Sequence, residues 1–241
     1  MFKEKFFILL CASTFIFLSS IGFAAERKFY SQCKQDSYLY ENVFKEKRNG
    51  VFVDIGASDG IHLSNTYFFE KYMGWTGICI EPIPEIFSLL RTNRKCICIQ
   101  GGISDRQGKA PFLRITPPIN ASPACRIDML SGNLEKYDPR HLERVRQALA
   151  LDGGSSEVII VNFYTFNQIL QENKIYHVDY LSIDTEGGEL DILKSIDFSR
   201  FDIDIINVEN NYNSPSFQQF LEPLGYKKIA TLSVDEIYKK G

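Results

Sequence analysis

Apolar and polar positions fall into alternating blocks along this chain of 241 residues. Val51-Phe52-Val53-Asp54-Ile55 is a short apolar run closed by Gly56. A continuous apolar run bounded by a turn residue reads as a strand buried on both faces. Residues 76–80 and 180–183 read the same way, and residues 95–99, 158–163 and 203–208 read as further strands. Residues 65–73, 84–91, 165–171, 188–195 and 216–221 have helical spacing between them. Ser64 stands where an N-cap belongs, and Pro84 opens the second helix. Residues 227–231 and 236–239 are spaced to pair with each other. Strands alternating with helices predict an α/β fold, a mostly parallel sheet with helices on both faces.

Two stretches break this rhythm. Residues 108–156 carry Pro111, Pro117, Pro118, Pro123, Pro139, Gly132, Gly153 and Gly154. They read as an insertion after the third strand, with one strand (111–115) and one helix (139–151). A connection this long is more often functional than idle. At the N-terminus, Lys3 and Lys5 precede an uncharged run over residues 6–25 that ends in small residues. That is the pattern of a secretory signal peptide. A run of that length also suffices for a membrane anchor. The folded domain is expected over residues 26–241, exported or held at a membrane through residues 6–25.

Composition narrows the partners. With 27 basic and 30 acidic residues the net charge is −3, which argues against a nucleic-acid backbone as partner. Six cysteines at unrelated spacings make no disulfide scaffold. Cys96 and Cys98 share one strand face and read as small buried apolar residues.

The chemistry concentrates at predicted strand ends. Val53-Asp54-Ile55-Gly56-Ala57-Ser58-Asp59-Gly60 leads from a strand toward a helix. Ligands of open α/β sheets bind beyond the carboxyl ends of the strands. The spacing is neither G-x-G-x-x-G nor a P-loop, and two carboxylates repel a phosphate. Glu81, before Pro82, ends the next strand about twenty residues on, where an acid can accept from ribose hydroxyls. Ribose without phosphate, together with positive charge, points to S-adenosylmethionine. Ser104-Asp105, after the third strand, is placed to meet an adenine.

Asp184, Glu186 and Glu189 crowd one further strand end. Crowded carboxylates raise one another's pKa, which suits Asp184 and Glu186 to accept a proton near neutrality. Glu189 reads as first-turn helix charge. An oxygen-rich cluster also suits Mg²⁺ or Ca²⁺, though no metal ligands are assigned here.

Together, residues 53–60, Ser64-Asn65-Thr66-Tyr67, Gly74-Trp75-x-Gly77 with Ile80-Glu81-Pro82, and Leu181-Ser182-Ile183-Asp184-x-Glu186-Gly187-x-Glu189 resemble the FkbM-type methyltransferases. Ser31-Gln32-x-x-Gln35-Asp36 is similar to that family's lead-in segment. The resemblance implies a Rossmann-like class I methyltransferase with a seven-stranded sheet. It implies S-adenosylmethionine as cofactor, contacted by Asp54, Gly56, Glu81, Ser104 and Asp105. It also implies methylation of hydroxyl groups on sugars, polyketides or lipids. Ala57, Ser58, Asp59, Gly60, Asn65 and Pro82 complete the expected cofactor set.

The general base is expected at Glu186 or His62, beside Asp184. Where the family usually carries Leu-Asp, this chain has Phe166-Asn167 after Thr165. Any substrate role of that acid is therefore in doubt here. Arg114, Arg126, Tyr137, Arg140, Arg144 and Arg146 are candidates for acceptor contacts. His141 reads as solvated and His177 as lacking a partner. An exported protein would be cut off from a cytosolic cofactor. The alternative function is thus an exported, non-catalytic methyltransferase-fold binding module.

Overall fold

The computed structural model describes residues 27–122 and 126–241. The signal-peptide or anchor segment expected over residues 1–25 lies outside them. No helix among the described residues is long and apolar enough to cross a membrane.

The chain opens with α1 (Gln35–Leu39) and a π-helical turn (Tyr40–Phe44), neither anticipated from the pattern. Then come β1 (Val51–Ile55), α2 (Tyr67–Met73), β2 (Thr76–Glu81), α3 (Pro84–Asn93) and β3 (Ile97–Gln100). The insertion brings β4 (Gly102–Ile103), β5 (Gly108–Thr116), β6 (Gly132–Asn133), α4 (Pro139–Asp152) and β7 (Ser155–Tyr164). The chain closes with α5 (Phe166–Glu172), β8 (His177–Ile183), α6 (Glu189–Ser195), β9 (Asp202–Glu209), α7 (Ser216–Leu221), β10 (Tyr226–Leu232) and β11 (Asp235–Lys240).

Seven strands form one sheet in the order β10-β11-β9-β8-β1-β2-β3. Only β11 runs against its neighbours, so the sheet is mostly parallel, as expected. Strand alternation sends Val53, Ile55, Ile78, Ile80, Leu181 and Ile206 to one face. There they pack against Leu170 of α5, Leu193 of α6 and Leu221 of α7. Phe52, Cys79, Tyr180 and Ile205 point to the other face, against Leu39, Phe69, Met73 and Leu90 of α1, α2 and α3. Both faces are thus dry, which explains the unbroken apolar runs in the sequence.

The insertion departs from the expectation. It is a four-stranded sheet of its own, in the order β4-β7-β5-β6. β7 contains the predicted 158–163 strand, but it pairs antiparallel to β5 and not within the main sheet. The run does not report burial on both faces either, since Val158 and Ile160 are exposed while Val161 and Phe163 are buried, and an apolar run carries no information about which sheet it joins. The insertion packs back through Phe112, Val161 and Phe163 onto Ile83 at the mouth of the main sheet.

The lead-in motif has a structural task. Ser31 Oγ donates to Asp36 Oδ1 at 2.6 Å, and Gln35 Nε2 donates to Asp235 Oδ2 at 2.9 Å. It therefore anchors the chain start to the C-terminal hairpin. The helix α2 starts two residues later than expected, so Thr66 and not Ser64 is its N-cap; Ser64 still serves the first turn, its Oγ accepting from Tyr67 N at 3.1 Å. Asn167, where the family's acid was missed, bonds Ser195 O and Asp197 N, joining α5 to the turn after α6. His177 is not unpartnered: Asp202 lies 3.1 Å from Nδ1 and Asp179 lies 3.4 Å from Nε2.

Arg94, after α3, is fully buried and bonds elements that are distant in sequence. Its guanidinium donates to Glu70 at 2.7 Å, Gly60 O at 3.2 Å and Thr66 Oγ1 at 3.0 Å. Removing one partner of a buried ion pair strands the other charge. Arg94→Met should lower stability by about 3 kcal/mol, seen as a lower urea midpoint at unchanged slope. A loss below about 1 kcal/mol, the scale of an exposed pair, would contradict this role.

Candidate functional site

Parallel strands end together, so the loops after β1, β2, β4 and β8 meet at one rim. There they line a cleft of about 790 Å³, open mouth included. Gly56 is indispensable to its shape. A Cβ there would lie 1.7 Å from the Asp184 carbonyl oxygen, and φ is +87°. Only glycine permits this contact between the β1 and β8 loops.

Of the predicted residues, Gly56, Ser58, Glu81, Pro82, Ser104, Asp184 and Glu186 all line this cleft. Glu81 is buried. Its Oε1 accepts from Ile83 N at 2.9 Å and its Oε2 from Ser58 N at 3.1 Å. Burial pushes its pKa up to about 7, against those two hydrogen bonds. Ser104 Oγ donates to Asp105 Oδ1 at 2.9 Å, and Lys136 Nζ reaches the same oxygen at 3.1 Å. Those two contacts depress the Asp105 pKa. Asp105 itself stands just behind the lining.

Other predicted residues sit elsewhere. Asp54 turns to the α2 face, accepting from Thr66 Oγ1 at 2.6 Å, with Arg94 at 4.0 Å. Burial raises its pKa, while Arg94 and Thr66 pull it down. With Ala57, Asn65 and His62 it lines a small cavity that adjoins the cleft through Gly56, Ser58, Met129 and Asp184. Asn65 Nδ2 donates to Ser182 Oγ at 3.0 Å. Asp59 and Gly60 shape the loop and line no cavity described here. Asp59 accepts from Ile61 N and His62 N, each at 2.9 Å. Burial opposes its charge, but those bonds lower its pKa. His62 is 73% exposed and pairs with Asp59 at 2.6 Å.

At the β8 end the carboxylate oxygens of Asp184, Glu186 and Glu209 lie within 4.8 Å of one another. Glu209, at the end of β9, was not anticipated. An acid closing a strand carries no signal until strand order puts that strand beside β8. Burial, then Glu186, drives the Asp184 pKa well above its usual value. Burial and Asp184 do the same to Glu209. Burial pushes Glu186 up to about 7, with Arg144 opposing.

The insertion supplies the remaining walls. Phe112, Asp128, Met129, Asn133, Lys136 and Phe163 enter the cleft, and none was predicted as a site residue. A second cavity adjoins it through Lys136, Glu186, Gly187 and Gly188, and also holds Tyr137, Arg140, His141, Asn211 and Tyr212. Arg140 stacks over the Tyr212 ring at 3.9 Å. Arg144 lies 3.6 Å from Glu186, and Arg126 reaches Ser58 at 3.2 Å. Arg114 and Arg146 point away, paired with Glu85 and Glu143. His141 corrects the expectation of a solvated residue, because it is 2% exposed. With Val145 and Leu149 it occupies positions i, i+4 and i+8, the inward stripe of α4. That signal was present in the sequence.

Glu81 and Glu186 both have folded pKa values above the unfolded one, from 4.5 to about 7. Each therefore favours the fold at acid pH, and the benefit is lost as pH rises through about 7. Urea unfolding should show stability falling between pH 5 and 7.5, by on the order of 3 kcal/mol per group. Glu186→Gln should remove its share of that slope. An unchanged slope would show that Glu186 is solvated.

A search of curated proteins finds no match. A crystal structure of methyltransferase FkbM from Methylobacillus flagellatus KT is 11% identical, with a TM-score of 0.47. That comparison covers 87% of this chain and 48% of the other. The N-terminal domain of human METTL16 is 10% identical, with a TM-score of 0.42, covering 86% of this chain and 66% of that one. This chain thus spans about half the length of the first and two thirds of the second. The family model described as the methyltransferase FkbM domain matches residues 54–238, and with that the chain belongs to the FkbM methyltransferase domain family.

Proposed function

We propose that this protein transfers a methyl group from S-adenosylmethionine to a hydroxyl of a small-molecule or glycan acceptor. The observation that carries this reading is Glu81, a buried carboxylate lining the cleft beside the apolar side chains of Ile83, Ile86, Phe112 and Phe163. Each of its oxygens holds one backbone N–H and keeps a further lone pair for a ribose hydroxyl.

The residues present fit the cofactor. Ile83, Ile86, Phe112 and Phe163 give a wall suited to a purine. Four acids line the cleft (Glu81, Asp128, Asp184, Glu186) against one cation, Lys136. That balance favours a cationic ligand and disfavours a polyphosphate. The turn at Gly56 and Ser58, with Asp184, would hold the amino-acid end. When bound, S-adenosylmethionine supplies a methyl group already activated on a sulfonium. What remains for the protein is placement of the acceptor oxygen and removal of its proton. The adjoining cavity, with Tyr137, Tyr212, Arg140 and Asn211, suits a hydroxylated acceptor. Glu186 belongs to both cavities and can take the hydroxyl proton between them.

Calorimetric titration of the full chain with S-adenosylmethionine and with its demethylated product tests this reading. Both should bind. Glu81→Ala should weaken both at least tenfold, about 1.4 kcal/mol. Arg146→Ala, on the outer surface, should change nothing. Absence of binding by folded wild-type protein would overturn the reading.

A further inference from the structure

His141 is held in one orientation. Its ring lies against Tyr137, with centroids 4.4 Å apart. Its Nε2 is 3.0 Å from the Leu130 carbonyl oxygen. A carbonyl only accepts, so Nε2 carries the hydrogen. Nδ1 then faces Glu186 Oε2 at 3.3 Å. A bare imidazole nitrogen and an ionised carboxylate are both acceptors. Oε2 also accepts from Asn211, but among the described residues Nδ1 has no donor facing it unless a proton lies between the ring and the carboxylate. That proton sits on Glu186, donated to a neutral ring, or on Nδ1, donated to the carboxylate. In either form the pair holds one proton.

Glu186 is arranged asymmetrically. Its Oε2 takes the contacts of His141, Asn211 Nδ2 (3.1 Å) and Arg144 (3.6 Å). Among the described residues no contact of this kind reaches Oε1. The backbone of Glu186 has φ +57°, a left-handed conformation that costs energy for a non-glycine residue. Such strain persists only where the surroundings enforce it.

We propose that His141 and Glu186 form a proton-sharing dyad, with His141 as the positioning residue that binds one oxygen of Glu186 while the other accepts the acceptor's hydroxyl proton. This rests on the methyltransferase reading above. As the acceptor oxygen bonds to the methyl carbon, the sulfur–carbon bond breaks and its electron pair stays on sulfur. The hydroxyl proton moves to Glu186 Oε1. If Oε2 carries the shared proton at that moment, it passes to His141 Nδ1. The dyad ends with two protons, and the positive charge lost from sulfur reappears on the imidazolium. Burial, then Arg144, holds the His141 pKa below its usual value and opposes charge on the ring, while the Leu130 carbonyl and Asp138 on α4 favour it. Asp184 and Glu189 around the β8 loop and Glu209 on β9 face Glu186 and favour its protonated form, and the Tyr137 and Tyr212 rings stay neutral.

The test is ¹⁵N-histidine NMR of the full chain, which has three histidines. His62→Ala and His177→Ala assign the signals. His141 should show the Nε2–H tautomer at high pH. Its Nδ1 signal should titrate with a midpoint that Glu186→Gln moves at least one pH unit toward acid, or abolishes. Glu186→Asp, which shortens the acid and keeps its charge type, should also move it. The other two histidines should not respond. An Nδ1–H tautomer, a wild-type signal blind to pH, or one midpoint shared by wild type and both variants would overturn the dyad. Neither cofactor nor acceptor is needed, so this failure is separable from a failed cofactor titration.

Discussion

Buried carboxylates at the carboxyl rim of the sheet are the constraint on which this molecule turns. Asp54, Glu81, Glu186 and Asp235 are all buried, and Asp184 and Glu209 join them at the same rim. Ionised carboxylates in such surroundings are costly unless paired. One buried cation, Arg94, serves Asp54. Asp235 is met by the amides of Gln35 and Asn207. Glu81 receives two backbone N–H groups. In the Asp184, Glu186 and Glu209 cluster, Glu186 is met by Arg144, His141 and Asn211. A fold selected for stability alone would replace these acids with apolar residues. Their presence is what the proposed cationic cofactor and proton transfer would answer.

The fold explains how so much negative charge is tolerated. Both faces of the sheet are sealed by helices, so the strands hold their register without help from the rim. Gly56 brings the β1 and β8 loops into backbone contact. Arg94 ties the loop after β1 to α2. The insertion then covers the rim, and its contribution is directional. Phe112 and Phe163 make the apolar side of the cleft, while α4 brings His141 and Arg144 to Glu186.

Much of this was legible in the chain itself. The apolar runs marked the buried strands, and the acids at their ends marked the rim. The facing of each acid was not legible. Asp54 follows two apolar neighbours in a strand buried on both sides, so burial alone could not say that it turns to Thr66 and Arg94. Glu209 was hidden because strand order is a long-range property. The 158–163 run was read correctly as a strand and set in the wrong sheet, because apolar continuity is the same in both. His141 was misread from the charge of its helix, although its spacing with Val145 and Leu149 placed it inward.

The central claim is that the acidic, insertion-roofed cleft is where the adenosyl cofactor binds. Hydrogen exchange of the full chain, with and without the demethylated cofactor, tests it most directly. Slower exchange is expected in the loops around Gly56 to Ser58, Glu81 to Ile86 and Gly101 to Ser104, and in the insertion around Met129 to Lys136. Protection confined to other segments, with those loops unchanged, would contradict it.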